Sequence, residues 1–218
     1  MRPPWVGRAM SSPDMTAQKN VPTIVLASAS AVRARLLRSA GVPHIVAPAH
    51  VDEAATRDGM LAENVDHAAI AAVLAEQKAR KISPNHAGLT VLGADQVLSC
   101  EGVLFEKPAD LEGVRAHLNA LMGKEHTLYT GVCAVRDGEV IWRANTAAVM
   151  QMRRLSADFI DHYVAEVGEA ACQSVGAYLL EGLGIQLFSR IDGDFFTILG
   201  LPMVPLLEFL RDNDVIER

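Results

Sequence analysis

Cysteine is scarce in this chain, and its pattern is uninformative for cross-linking. Only Cys100, Cys133 and Cys172 occur in 218 residues, an odd number, widely spaced and without a CxxC pair. That excludes a disulfide framework and a thiolate zinc site, and points to reduced thiols in a cytoplasmic protein. Long apolar runs are missing too. None approaches the ~18 residues of a membrane helix, and residues 1–20, with Pro3-Pro4 and Ser11-Ser12-Pro13, lack the apolar stretch of a secretory signal. Positive charge is in deficit: 20 Lys and Arg against 26 Asp and Glu give a net charge of -6. A general nucleic-acid binder would carry a basic field, so any polyanionic ligand must be met by a few local cations. Also absent are GxxxxGK[ST], HExxH and GxSxG, and Gly182-Leu-Gly184-Ile-Gln-Leu187 lacks the third glycine of a dinucleotide fingerprint. The histidines show no ligand spacing, and there are no repeats, low-complexity runs or obvious linkers.

What is present is apolar content for a sizeable core, 50% of the residues, arranged as one domain or as two lobes sharing a cleft. Residues 1–20 are expected to be a disordered tail before a domain over 21–218. Thr23–Ala27 reads as a buried strand, followed by the small-residue turn Ser28-Ala-Ser30 and a helix from Ala31 to Ala40 that Ser30 caps and Gly41 closes. Such a turn offers free backbone N–H groups and a positive dipole end to an anion. Arg33 sits in that helix's first turn, where a cation is unfavourable for the helix itself, which suggests a ligand contact. A solvated Arg33 is the plainer alternative.

His44–Ala47 reads as a short strand and Val51-Asp52-Glu53 as the loop after it. Residues 64–82 read as an Ala-rich helix on which Lys78 prolongs the stripe of Ile70 and Leu74, either snorkelling or pointing into a cleft. The central stretch is 89–108. Leu89–Leu92 reads as a strand buried on both faces, with Asp95 just past its end, where open α/β folds bind ligands. Val97-Leu98 and Val103–Phe105 form a hairpin turning at Cys100-Glu101-Gly102, and Lys107-Pro108 ends it. Helices over 110–122 and 156–167, paired strands near 126–136 and 139–152 joined at Asp137-Gly138, and a last helix from Pro202 to about Leu210 complete the reading. Six of the 16 glycines fall in 168–200, a segment suited to turns and close approach.

Two acids (Glu53, Asp95), three cations (Arg33, Lys78, Lys107) and the helix N-terminus at Ser28–Ser30 remain as site candidates. Hard oxygen ligands suit Mg²⁺, which takes one or two carboxylates plus substrate phosphates, and the cations suit a triphosphate. Together they describe phosphoanhydride hydrolysis. Several motifs also resemble the Maf family: Leu26-Ala-Ser-Ala-Ser30…Arg33…Leu36-Leu37, Val51-Asp-Glu53, Gln77-Lys78-Ala79, Gly93-Ala-Asp95, Lys107-Pro108, His126…Thr130-Gly131, Gly176-Ala-Tyr178 and Ile191-Asp-Gly-Asp194…Gly200-Leu-Pro202. The resemblance runs from about residue 23 to 210. It implies an α/β fold, a mixed sheet with flanking helices in two lobes around a central cleft, as in the similarly folded inosine triphosphatases. It implies a nucleoside triphosphate pyrophosphatase that acts on modified or non-standard nucleotides, uses Mg²⁺ or Mn²⁺, and assembles as a homodimer, with no nucleic acid polymer and no membrane as partner. The acid matching Asp95 is that family's catalytic proton acceptor. Asp95 is accordingly expected to orient or deprotonate water, and Glu53, with Asp95, to hold the metal. Ser28, Ser30, Arg33, Lys78 and Lys107 are expected to bind substrate.

The base is read less directly. The family often has Ser-Pro-Arg-Arg where this chain has Ser30-Ala31-Val32-Arg33. Gln96 and Glu181 resemble the branch that hydrolyses 7-methyl-GTP, whereas the dTTP/UTP branch has Thr and Gln there. The 7-methyl-GTP branch, however, has Trp where Val32 stands. Alternatives are the dTTP/UTP type, an inosine or xanthosine triphosphate house-cleaning enzyme, and a nucleotide-sensing regulator of septum formation without turnover.

Overall fold

The computed structural model describes residues 24–217; the expected tail over 1–20 lies outside the described residues. Three β-branched or leucine side chains make β1 (Ile24–Leu26) fully buried. The chain then turns at Ser28 into helix α1 (Ala31–Ser39), which Ser30 caps by accepting from Arg33 N–H. Gly41 closes it with a φ of +70°, which glycine adopts without strain. Strand β2 (His44–Val46) returns parallel to β1.

The expected loop at Val51–Glu53 is a helix start. Glu53 opens α2 (Glu53–Ala62), and Asp52 caps it by accepting from Ala55 N–H. Helix α3 (His67–Ile82) is capped by Asp66 and begins later than expected. The strand expected over 89–92 is also corrected. β3 runs unbroken from Val91 to Cys100, so Asp95 lies mid-strand and not beyond its end. The Gly93-Ala94 pair does not stop it, because the antiparallel partner β5 (Glu125–Arg136) stays paired from Val91 to Ser99. Strand β4 (Val103–Phe105) folds back on β3 through Glu101 and Gly102, both at positive φ. Helix α4 (Leu111–Leu121), strand β6 (Glu139–Met152), helix α5 (Ala157–Val167), strand β7 (Phe188–Asp192), helix α6 (Phe195–Ile198) and helix α7 (Met203–Asp212) complete the described strands and α-helices.

The result is a mixed seven-stranded sheet in the order β2-β1-β3-β5-β6-β7, with β4 on β3. Alternation along the strands places residues on two faces. Val25, Val91, Cys133 and Val135 meet α3 through Ala75 and Ala79. On the other face, Leu26, Leu92 and Val132 pack under α1 and α7, while Leu98, Leu128 and Met150 pack under α4 and α5. These two apolar clusters sit toward opposite ends of the long strands, and the candidate residues lie between them. No helix of the described residues is long and apolar enough to cross a membrane.

Candidate active site

A gap in one edge of β3 creates the site. β1 pairs there only with Val91 and Leu92, and β4 only with Leu98 to Cys100. Between them, residues 94–97 have no strand partner on that edge. An unpaired carbonyl in such a place needs a donor, and Arg33 supplies it: Nη1 donates to Ala94 O at 2.8 Å and to Ser28 Oγ at 3.0 Å, and Nε donates to Gly200 O at 3.0 Å. Arg33 is therefore buried, not solvated. Its Nη2 makes no hydrogen bond with the described residues but is not sealed from solvent, which leaves one edge of the guanidinium open. Ser28 Oγ also accepts from Ser30 N–H at 3.2 Å, so Ser28 holds both the turn and the arginine.

Asp95 points to the α3 face. It lies opposite Gly131 on β5, a position where a side chain would collide with α3. Gly93, two residues earlier, is needed for the same reason: an added Cβ would stand 1.9 Å from Ala75 O. The helix backbone thus rests directly on the sheet, and Lys78 reaches down beside the strand. Lys78 Nζ lies 2.5 Å from Asp95 Oδ1 and 2.7 Å from Glu53 Oε1. Lys78 and Asp95 are both about nine-tenths buried, whereas Glu53 is half exposed. Burial pushes the Asp95 carboxyl above its ordinary value, against the pull of Lys78 and Arg33.

Gln96 turns to the opposite face, where its Nε2 is bound by Thr130 Oγ1, Thr197 O and Ile198 O. Gly200, at a φ of +104°, lets it approach Arg33; a Cβ there would stand 2.8 Å from Arg33 Nε and 2.9 Å from Gln96 Oε1. Val32 is half-buried on α1. Glu181 carries an ion pair with Arg35, one turn of α1 beyond Val32. Lys107 is exposed and makes no ion pair among the described residues; it follows β4, whose course leads back toward the gap.

The structure thus joins Glu53, Lys78 and Asp95 on the α3 side of the sheet, gathers Ser28, Arg33 and Gln96 around Gly200 on the other, and leaves Lys107 and Glu181 toward solvent. Sequence reasoning passed over Arg35. Thr130 and Gly200 appeared in it only within the motifs His126…Thr130-Gly131 and Gly200-Leu-Pro202, with no role given to the Thr130 hydroxyl or to the close approach at Gly200. Glu53 and Asp95 are hard oxygen donors converging on one ammonium, which fits a Mg²⁺-type cation. No group of three or more His, Cys, Asp or Glu is placed to hold a metal among the described residues. Such a cation would therefore complete its shell from phosphates and water, as Mg²⁺ does.

Comparison with known proteins gives the family. The family model described as Maf-like protein matches residues 23–213. A nucleoside triphosphate pyrophosphatase of Paramagnetospirillum magneticum is 51% identical over 189 residues, covering 87% of this chain and 97% of that protein. A second protein of that name, from Nitrobacter winogradskyi, is 49% identical, covering 87% and 93%. A 7-methyl-GTP pyrophosphatase of Mesorhizobium japonicum is 47% identical over 194 residues, covering 89% and 98%. With matches spanning nearly the whole domain, the chain belongs to the Maf family.

Proposed function

We propose that the chain is a nucleoside triphosphate pyrophosphatase that cleaves between the α and β phosphates, releasing a nucleoside monophosphate and pyrophosphate. The observation that carries this reading is the buried Asp95 carboxylate bridged to Glu53 by Lys78, beside Arg33, at the open edge of β3. Asp95 takes the proton of the attacking water. A carboxylate with its ordinary pKa of about 3.9 is a weak base at neutral pH, and burial makes this one stronger. Arg33 and Lys78 are buried cations whose charge is little screened, and Lys107 adds an exposed one at the rim. They neutralise charge growing on the leaving pyrophosphate. Ser28 and Ser30 present the turn at the α1 N-terminus to a phosphate. Glu53 and Asp95 would hold Mg²⁺ or Mn²⁺. When bound, the cation neutralises phosphate charge and lowers the pKa of nearby water.

The base preferred under this reading is guanine, including its 7-methyl form, over uracil and thymine. Glu181 accepts hydrogen bonds, and guanine offers N1–H and an amino group, whereas uracil has one N–H between two carbonyls. A homodimer in the cytoplasm belongs to the same reading; three free cysteines suit a reducing compartment. The test is a panel of GTP, 7-methyl-GTP, ITP, UTP and dTTP with Mg²⁺ or Mn²⁺. Equal amounts of monophosphate and pyrophosphate are expected, and a chelator should stop their release. Orthophosphate and a diphosphate as first products, or binding without turnover, would overturn the reading.

A further inference from the structure

Of the three candidate cations, Lys107 alone has no partner among the described residues, yet the chain on both sides of it is tied down. Alternation along β4 sends Leu104 to the α3 face, into a cluster with Ile70, Leu74 and Val97 that also takes Met60 of α2. Phe105 goes to the other face, where its ring meets His117 of α4 edge-on, the centroids 5.2 Å apart. The Glu106 carboxylate pairs with Arg57, which stands four residues after Glu53 on the same face of α2. The Glu106 carbonyl lies 2.8 Å from His117 Nε2. Pro108 is buried, and Gly113 in the first turn of α4 makes room for it; a Cβ there would stand 3.0 Å from Pro108 Cβ.

The His117 bond acts on Lys107 through the main chain. The β3–β4 ladder ends at Phe105, so the Glu106 carbonyl has no strand partner, and His117 is its donor. A carbonyl only accepts, so the bond needs an N–H at Nε2. Nδ1 lies 2.9 Å from Gly113 O, and a ring that carries both hydrogens holds α4 and the Glu106 carbonyl together. The Glu106 oxygen and the Lys107 Cα belong to one planar peptide unit, so fixing the first orients the second. A lysine ammonium rides on a flexible four-carbon stem, and a fixed backbone lowers the cost of placing it on a ligand. We propose that His117 is a positioning residue for Lys107: through the peptide plane between 106 and 107 it sets the lysine so that its ammonium meets the pyrophosphate end of the substrate. This rests on the proposed function for its ligand, and it adds a residue of α4 that touches neither phosphate nor base.

A double-mutant cycle tests it, with inorganic pyrophosphate as the probe and calorimetry as the readout, at constant Mg²⁺. The unaltered chain, His117→Phe, Lys107→Ala and the double variant form the cycle, and His117→Gln is the rescue. His117→Phe keeps a ring beside Phe105 and removes both N–H groups. It should weaken pyrophosphate about fivefold, the worth of one net hydrogen bond. His117→Gln, whose amide still donates, should restore most of that loss. Once Lys107 is alanine, His117→Phe should change the affinity no further, because the residue acts only through the lysine. A loss of the same size in the Lys107→Ala background would mark His117 as a purely structural residue and overturn the inference. Unchanged affinity in His117→Phe, or a parent whose pyrophosphate binding is absent or indifferent to Lys107→Ala, overturns it too. Should His117→Phe not fold, His117→Met, which also lacks an N–H, takes its place in the cycle. Pyrophosphate release from nucleotides is scored separately: its absence alongside pyrophosphate binding that depends on both residues would refute the pyrophosphatase reading and leave this inference standing.

Discussion

Replacing Gly93 by alanine adds one methyl group where the structure leaves no room for it. The new Cβ would stand 1.9 Å from Ala75 O, 2.7 Å from Ala79 N and 3.0 Å from Ala75 C, all backbone atoms of α3. A rotamer change cannot relieve such a contact. The helix must lift from β3 by about 1 Å before the oxygen reaches even a tight distance. Overpacking of this kind costs about 1–3 kcal/mol, and a rigid backbone obstacle belongs at the upper end. In a domain of this size about 3 kcal/mol lowers the melting temperature by about 6–12 °C. Lys78 lies on α3 between Ala75 and Ala79, so the same displacement draws its ammonium from Asp95 and Glu53. A misplacement of about 1 Å at reacting groups costs about a hundredfold in rate.

Gly93→Ala should therefore lose both stability and kcat. Gly59→Ala is the matched comparison: Gly59 lies in α2 with nothing within 4 Å of an added Cβ. It should gain up to about 1 kcal/mol from better helix propensity and keep its activity. Thermal melts and steady-state rates on the two variants read both effects. A Gly93→Ala protein with the parent's melting temperature and kcat would show that α3 is not seated on the sheet as described.

Asp95→Asn should keep the fold and remove nearly all turnover, because the amide accepts no proton; turnover near the parent rate would reassign the base. In the parent, the acid limb of kcat/KM should have its midpoint above the ordinary carboxylate value of 3.8, since burial raises Asp95 and the ionised form is the active one. His126 is held neutral by burial, its pKa pushed down to about 4 from 6.5. The unfolded chain then takes up a proton first as pH falls, so this part of the stability is complete above pH 6.5 and drains away toward pH 4. Up to about 3 kcal/mol should be lost by denaturant melts, and His126→Phe should flatten that slope. Val32→Trp should raise activity on 7-methyl-GTP more than on GTP by supplying a stacking face, worth about 1–3 kcal/mol per base; equal gains on both would count against Val32 facing the base.

Features that act over one turn of chain were legible in the sequence. Ser30 and Ser156 cap α1 and α5, and Asp137-Gly138 closes the β5–β6 hairpin with both residues at positive φ. Signals that depend on burial failed where burial is absent. α2 has no buried residue, so it showed no apolar stripe, and Val51-Asp52-Glu53 read as a loop. Gly93-Ala94 looked like a strand end because small residues usually punctuate. The glycine is there for a helix carbonyl that comes from 18 residues upstream in the chain, which no local pattern reveals. Arg33 was ambiguous for a similar reason: its acceptors, Ala94 O and Gly200 O, are far away in sequence. The Arg35–Glu181 pair joins residues 146 apart and leaves no periodic trace at all.

The placement of Asp95 and Gln96 on consecutive positions of one strand has a consequence for how such a site divides its work. Side chains of neighbouring strand residues leave from opposite faces. Asp95 therefore meets Lys78 and Glu53 on the α3 side, and Gln96 meets Thr130 and the Thr197 and Ile198 carbonyls on the other. Under the proposed function, the charge that handles phosphates and the amide that reads the base are kept apart by the thickness of the sheet. Arg33 stands between the two environments, reaching Ala94 O and leaning on Gly200 beside Gln96. On that reading, base preference should change through Gln96, Glu181 and Val32 without disturbing the carboxylates. A change at Gly93, Gly131 or Lys78 should instead damage every substrate alike. A one-residue slip of β3 against β5 would exchange the two faces. The long ladder from Val91 to Ser99 is what forbids it.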